Sequence, residues 1–109
     1  MENTFIRKGE VINFDSLISY TENGVVSKQI LKNKKGNVTL FSFDKGQGLN
    51  EHSAPFDAMV QIIDGKAEIT IGGKPIMVHK GESIIMPANV LHKQQAVEPF
   101  KMLLTMIKE

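Results

Sequence analysis

From Ala58 to His79 the chain reads AMVQIID, a glycine, KAEITI, a pair of glycines, and KPIMVH. No other stretch restricts the possible folds as much. In KAEITI the apolar Ala67, Ile69 and Ile71 alternate strictly with Lys66, Glu68 and Thr70, the period of a strand with one buried and one solvated face. Gly72-Gly73 then predicts a two-residue hairpin turn, because both central positions of such a turn need positive φ, which glycine adopts without steric cost. A chain whose centre is committed to antiparallel hairpins must find further strands to cover their apolar faces.

It has them. Val25 to Leu31 and Asn37 to Phe43 flank the charged turn Lys32 to Gly36, and Ser83 to Met86 follows the turn at Gly81-Glu82. Pro87-Ala88-Asn89 reads as a corner, since proline has no N–H to give to a ladder. Residues 1 to 20 are mixed, with Phe5-Ile6 as a short edge strand and at most one helical turn between Asn13 and Leu17. Eight or nine short strands with close turns and hardly any helical period predict an all-β sandwich or closed barrel, and 109 residues make one domain of ordinary size. The segment 1–37 is expected to supply N-terminal strands and an edge to a barrel formed by 38–107.

Thirteen Lys and Arg against twelve Asp and Glu give a net charge of +1, too little to draw in nucleic acid or an anionic membrane surface. There are no cysteines, which excludes disulfides, thiolate metal sites and thiol nucleophiles. The opening MENTFIRKGEV lacks the apolar core of a secretory signal and no run approaches the roughly 20 apolar residues of a membrane span. A cytoplasmic protein is therefore expected.

His52 and His92 stand forty positions apart, each near the end of a β-rich run, so antiparallel pairing can carry both imidazoles into one hollow. Gln94 shares the face of His92 by the two-residue period. His79, beside Lys80 at a strand end, reads as a surface residue.

These residues also carry a likeness. The chain resembles the small single-domain cupins, an all-β family built on a jelly-roll antiparallel barrel. The family's first motif runs glycine, five residues, His-x-His, three or four residues, glutamate, six residues, glycine; here Gly46, His52 and Gly65 fall in place. Its second runs glycine, five residues, Pro-x-Gly, two residues, histidine, three residues, asparagine; here Gly81, Pro87 and His92 match, with Asn89 in place of glycine and Ala96 in place of asparagine. Fifteen residues, 66 to 80, separate the motifs, and the likeness covers Val38 to Ile107.

The resemblance implies a metal site of two His and a Glu from the first motif and one His from the second. Carried over position by position, those ligands fall on His52, Ala54, Ala58 and His92. Two methyl groups offer no lone pair, whereas a divalent ion normally needs three or more protein donors. A one-residue shift of the strand after Pro55 would exchange its faces, turning Asp57, Met59 and Gln61 inward. His52, His92 and Asp57 would then be a candidate triad for Zn, Fe, Mn or Ni. In the unshifted register Ala58, Val60 and Ile62 face the barrel. Glu51 is a weaker ligand candidate, pointing away from its neighbour His52.

The leading functional expectation is a pocket that binds a small organic molecule and requires no cofactor. His52, His92 and Gln94 supply its polar contacts, and Phe43, Val60, Ile62 and Met86 its apolar wall. The alternative is a metal-dependent cupin enzyme, an isomerase, lyase or dioxygenase, using His52, His92 and Asp57. A purely structural module is the third. The closing run FKMLLTMI is apolar on both faces, which together with the likeness implies a homodimer of packed barrel faces. The competing expectation is that the N-terminal segment covers the second face.

Overall fold

The computed structural model describes residues 6–108. A single helical turn, α1 (Phe14–Leu17), precedes nine strands: β1 (Val25–Asn33), β2 (Gly36–Phe43), β3 (Gly48–His52), β4 (Ala58–Asp64), β5 (Lys66–Ile71), β6 (Lys74–His79), β7 (Ser83–Met86), β8 (His92–Gln95) and β9 (Phe100–Ile107). Asn13 caps α1, its side chain accepting from the Ser16 N–H at 3.2 Å, as short polar residues do at helix starts. Ile6 belongs to no strand, and Phe5, expected beside it in an edge strand, lies outside the described residues.

The strands form two antiparallel ladders, one ordered β1-β2-β9-β4-β7 and the other β3-β8-β5-β6. The fold is the expected antiparallel jelly roll, a sandwich of five strands on four whose two ladders do not join into one hydrogen-bonded ring. Local alternation specifies strands and hairpins, but whether the outer strands join is decided by long-range pairing that a strand's own residues do not encode. The β5–β6 hairpin turns at Gly72-Gly73 with φ of 57° and 80°, the positive values its sequence predicts.

Between the sheets, Phe43, Val60, Ile62, Ile69, Phe100 and Met102 are 0–2% exposed and belong to one core. Phe43 stacks on Phe100 with ring centroids 4.5 Å apart. β9 is buried on both faces: Phe100, Met102 and Leu104 point into that core, while Leu103 joins Leu40 and Ile18 in a second cluster outside it. Phe14 and Leu17 of α1 pack against this second cluster. The N-terminal segment therefore covers the outer face of β9 at Leu103, as the competing expectation has it.

Polar anchors hold this covering segment in place. Lys101, 8% exposed, donates from Nζ to the Asp15 carbonyl at 2.6 Å and to Asp15 Oδ1 at 3.0 Å. Ser42 Oγ donates to the Ser19 carbonyl, and Tyr20 Oη to Asp64 Oδ2 at 2.5 Å. Burial, with the Asp64 carboxylate beside it, pushes the Tyr20 phenol above its usual pKa, so it remains a donor at any physiological pH.

Candidate functional site at the rim of the sandwich

β3 and β8 pair antiparallel, with Gly48 opposite Gln95, Leu49 opposite Gln94 and His52 opposite His92. The register shifts between Leu49 and His52, an irregularity that re-aims a strand end. At Gly48 a Cβ would overlap the Gln94 carbonyl oxygen, so glycine is what lets β3 lie this close to β8. The pairing is tied at one end by Gly46 N–H to the Ala96 carbonyl and Ala96 N–H to the Gln47 carbonyl, both 2.8 Å. At the other end the corner after β7 is held to the chain after β3 by Asn89 N–H donating to the Ala54 carbonyl at 2.7 Å. Asn89 has φ of 63°, a conformation asparagine tolerates better than most residues. Replacing the family's glycine there leaves the corner intact.

The two imidazoles meet as the sequence predicts. Their ring centroids are 4.4 Å apart at an interplanar angle of 68°, edge to face. His52 is exposed, and His92 behind it is 5% exposed. His52 Nδ1 lies 2.7 Å from the Asn50 carbonyl oxygen; a carbonyl only accepts, so Nδ1 carries the proton and Nε2 of the neutral ring has the lone pair. Deeper still is Gln94, 1% exposed. Its Nε2 is 3.2 Å from Met86 Sδ and 3.4 Å from His92 Nδ1, while its Oε1 is buried without a hydrogen-bond partner.

Burial holds the His92 pKa below the ordinary histidine value, and the neighbouring His52 adds to the effect. The unfolded chain, with His92 near 6.5, then binds the proton more readily than the folded one. The stability contributed by a neutral His92 is complete above that value and is lost as pH falls through it toward the folded pKa. The urea midpoint is therefore expected to drop between about pH 7.5 and about pH 5.5, and to drop less in His92→Gln. A wild-type midpoint that rises on acidification would contradict this.

The other expected site residues are distributed differently. Met86 touches Gln94 through its sulfur, whereas Phe43, Val60 and Ile62 are sealed in the core at 0–2% exposure and form packing behind the site. β4 takes the unshifted register: Ala58, Val60 and Ile62 are buried, and Met59 and Gln61 are only half-buried on the opposite face. The shifted strand on which the metal role of Asp57 depended is not formed. Asp57 is exposed, and its Oδ1 accepts from the Ala88 N–H at 2.8 Å, bracing the corner after β7. Glu51 is exposed on β3. Two cavities flank Asp57, one of about 240 Å³ that includes Met59, Ile85 and Thr105, and one of about 300 Å³ that includes Pro55 and Phe56; neither is lined by His52 or His92.

The sequence profile of the cupin domain matches residues 39–107. The chain belongs to the cupin family. This cupin superposes on a conserved Streptococcus pyogenes protein of unknown function with a TM-score of 0.91 and 38% identity, covering 95% of this chain and 91% of that one. A cupin 2 conserved barrel domain protein from Leptotrichia buccalis gives 0.86 at 40% identity, over 89% of this chain and 47% of that one. A cupin superfamily protein from Desulfitobacterium hafniense gives 0.89 at 26% identity, with 95% of each chain covered. An uncharacterised Streptomyces coelicolor protein is 29% identical over 60% of this chain, and the match spans 62% of that protein's length.

Cupins often carry a metal, and this cupin's residues do not fit one. Two of the four ligand positions hold methyl groups, and among the described residues no cluster of three or more His, Cys, Asp or Glu is placed to hold an ion. Two imidazoles alone fall short of the donor set that fixes a divalent cation. No helix among the described residues is long and apolar enough to cross a membrane. The Asn50 carbonyl, which sets the His52 tautomer, carries no sequence signal, because the group is backbone and its orientation follows from the local bend.

Proposed function

We propose that this cupin binds a small organic molecule at the rim of the sandwich, against His52 and His92, and that the site works without a metal. The observation that carries the reading is Gln94 Oε1: a buried acceptor next to His92 with no protein partner. Leaving such a group unsatisfied costs about 1–3 kcal/mol, a cost that a ligand donor would offset. The exposed His52 ring and the buried His92 ring supply two more polar groups beside Gln94. One chain supplies the whole arrangement.

The test uses the small-molecule fraction of a cell extract as the probe. After incubation and gel filtration, mass spectrometry of the denatured protein is expected to release at least one organic species retained by the wild type and lost from His52→Ala/His92→Ala. Equal retention by both proteins, or none by either, contradicts the reading.

A further inference from the structure

We infer that Gln94 and the Asn50 carbonyl lock the two imidazoles into opposite tautomers, making the rim a donor–acceptor site for a small neutral hydroxycarbonyl compound. This rests on the ligand-binding reading above and narrows it to a chemical class.

A thioether sulfur has lone pairs and no hydrogen, so it can only accept. The Gln94 atom 3.2 Å from Met86 Sδ is therefore the amide nitrogen, and the oxygen is the atom left without a partner. That same nitrogen lies 3.4 Å from His92 Nδ1. An N–H facing Nδ1 needs a lone pair there, which puts the proton of a neutral His92 on Nε2. His52 is fixed the other way, because its Nδ1–H is given to the Asn50 carbonyl at 2.7 Å. The sequence hides this: two histidines of identical chemistry become one acceptor, His52 Nε2, and one donor, His92 Nε2–H.

With Gln94 Oε1, the site offers two acceptors and one donor, and none of the three groups carries a formal charge when the rings are neutral. The complementary ligand brings two O–H or N–H donors and one acceptor. A carbonyl flanked by hydroxyls has that arrangement: its oxygen accepts from His92, and the hydroxyls donate to His52 and Gln94. Molecules that only accept leave Gln94 Oε1 and His52 Nε2 unmet. Gln94 acts here as a positioning residue, through His92, and as a specificity-determining contact.

Nitrogen-15 spectra of the histidine rings test the tautomers directly at a pH where both rings are neutral. The expected result is a bare-nitrogen shift at His92 Nδ1 and at His52 Nε2, with N–H shifts at the other two positions. Gln94→Met, which keeps the bulk and removes the donor, should erase the bare-nitrogen signature at His92 Nδ1. Gln94→Glu, whose carboxylate only accepts, should move the proton onto Nδ1. Identical tautomers in the two wild-type rings overturn the inference, and that measurement needs no variant to fold. For the ligand class, dihydroxyacetone is expected to shift the His52, His92 and Gln94 side-chain signals, and 1,3-dimethoxyacetone, which keeps the carbonyl and lacks the hydroxyl donors, to bind at least about tenfold more weakly. Equal binding of the two overturns the class assignment. If the tautomers are opposite but the extract releases nothing dependent on the histidines, the binding reading fails and the tautomer lock stands.

Discussion

Phe43→Ala is expected to cost about 3–5 kcal/mol, a large share of the roughly 5–15 kcal/mol that holds a domain of this size together. Phe43 is 0% exposed, stacks on Phe100 at 4.5 Å and lies 5.7 Å from the Phe41 ring. It ends β2, pairs with Phe100 on β9 and with Val25 on β1, and so ties three strands to the core. Removing the ring loses its transfer free energy and leaves a cavity that the stacked neighbour cannot fill without leaving its own packing. Urea unfolding should show a much lower midpoint at unchanged slope. Ile85→Ala, at a position 61% exposed, is the control and should stay within about 0.5 kcal/mol. A loss at Phe43 no larger than at Ile85 would mean that Phe43 lines an open pocket and does not fill a core.

The second large effect is a gain. Ala54→His/Ala58→Glu restores the two donors that the family places between His52 and His92, and the double variant is expected to bind one Zn²⁺ with an affinity at least about 100-fold above wild type. Ala58 is 6% exposed and faces the core between Met86 on β7 and Met106 on β9, so a glutamate there is buried. Without metal it should destabilise the fold by several kcal/mol, or take up a proton, because an unpaired carboxylate is poorly tolerated in an apolar interior. Zinc at about 100 times its dissociation constant would return about 2.7 kcal/mol of that loss. The melting temperature of the variant should therefore climb with added zinc while that of the wild type stays still. A zinc-insensitive variant would show that something other than the two missing donors disables the metal site.

Most of the strand framework is legible in the sequence because it is written in local patterns. KAEITI, Gly72-Gly73 and the glycine-proline corners each specify their own conformation, and the strand bounds fall where those signals place them. The meeting of His52 and His92 is legible from their places at the ends of β-rich runs and from the two family motifs, although the thirty-nine intervening residues do not fix which strands pair. Three features are not. Asn13 to Leu17 gives a single helical turn, which leaves the cover of β9 as one of two expectations, and Lys101 looks like a solvated lysine until Asp15 closes on it. Asp57 looks like a free carboxylate because its partner, the Ala88 N–H, lies 31 residues away. Gln94 reads as a face-sharing neighbour of His92, but its orphaned oxygen depends on the position of Met86, eight residues back on another sheet.

The central claim is that the histidine pair serves an organic guest and does not grip a metal ion, and elemental analysis of wild-type protein purified without chelating resin tests it most directly. Zinc, iron, manganese and nickel are expected far below one equivalent per chain. A stoichiometric metal that disappears in His52→Ala/His92→Ala would contradict it.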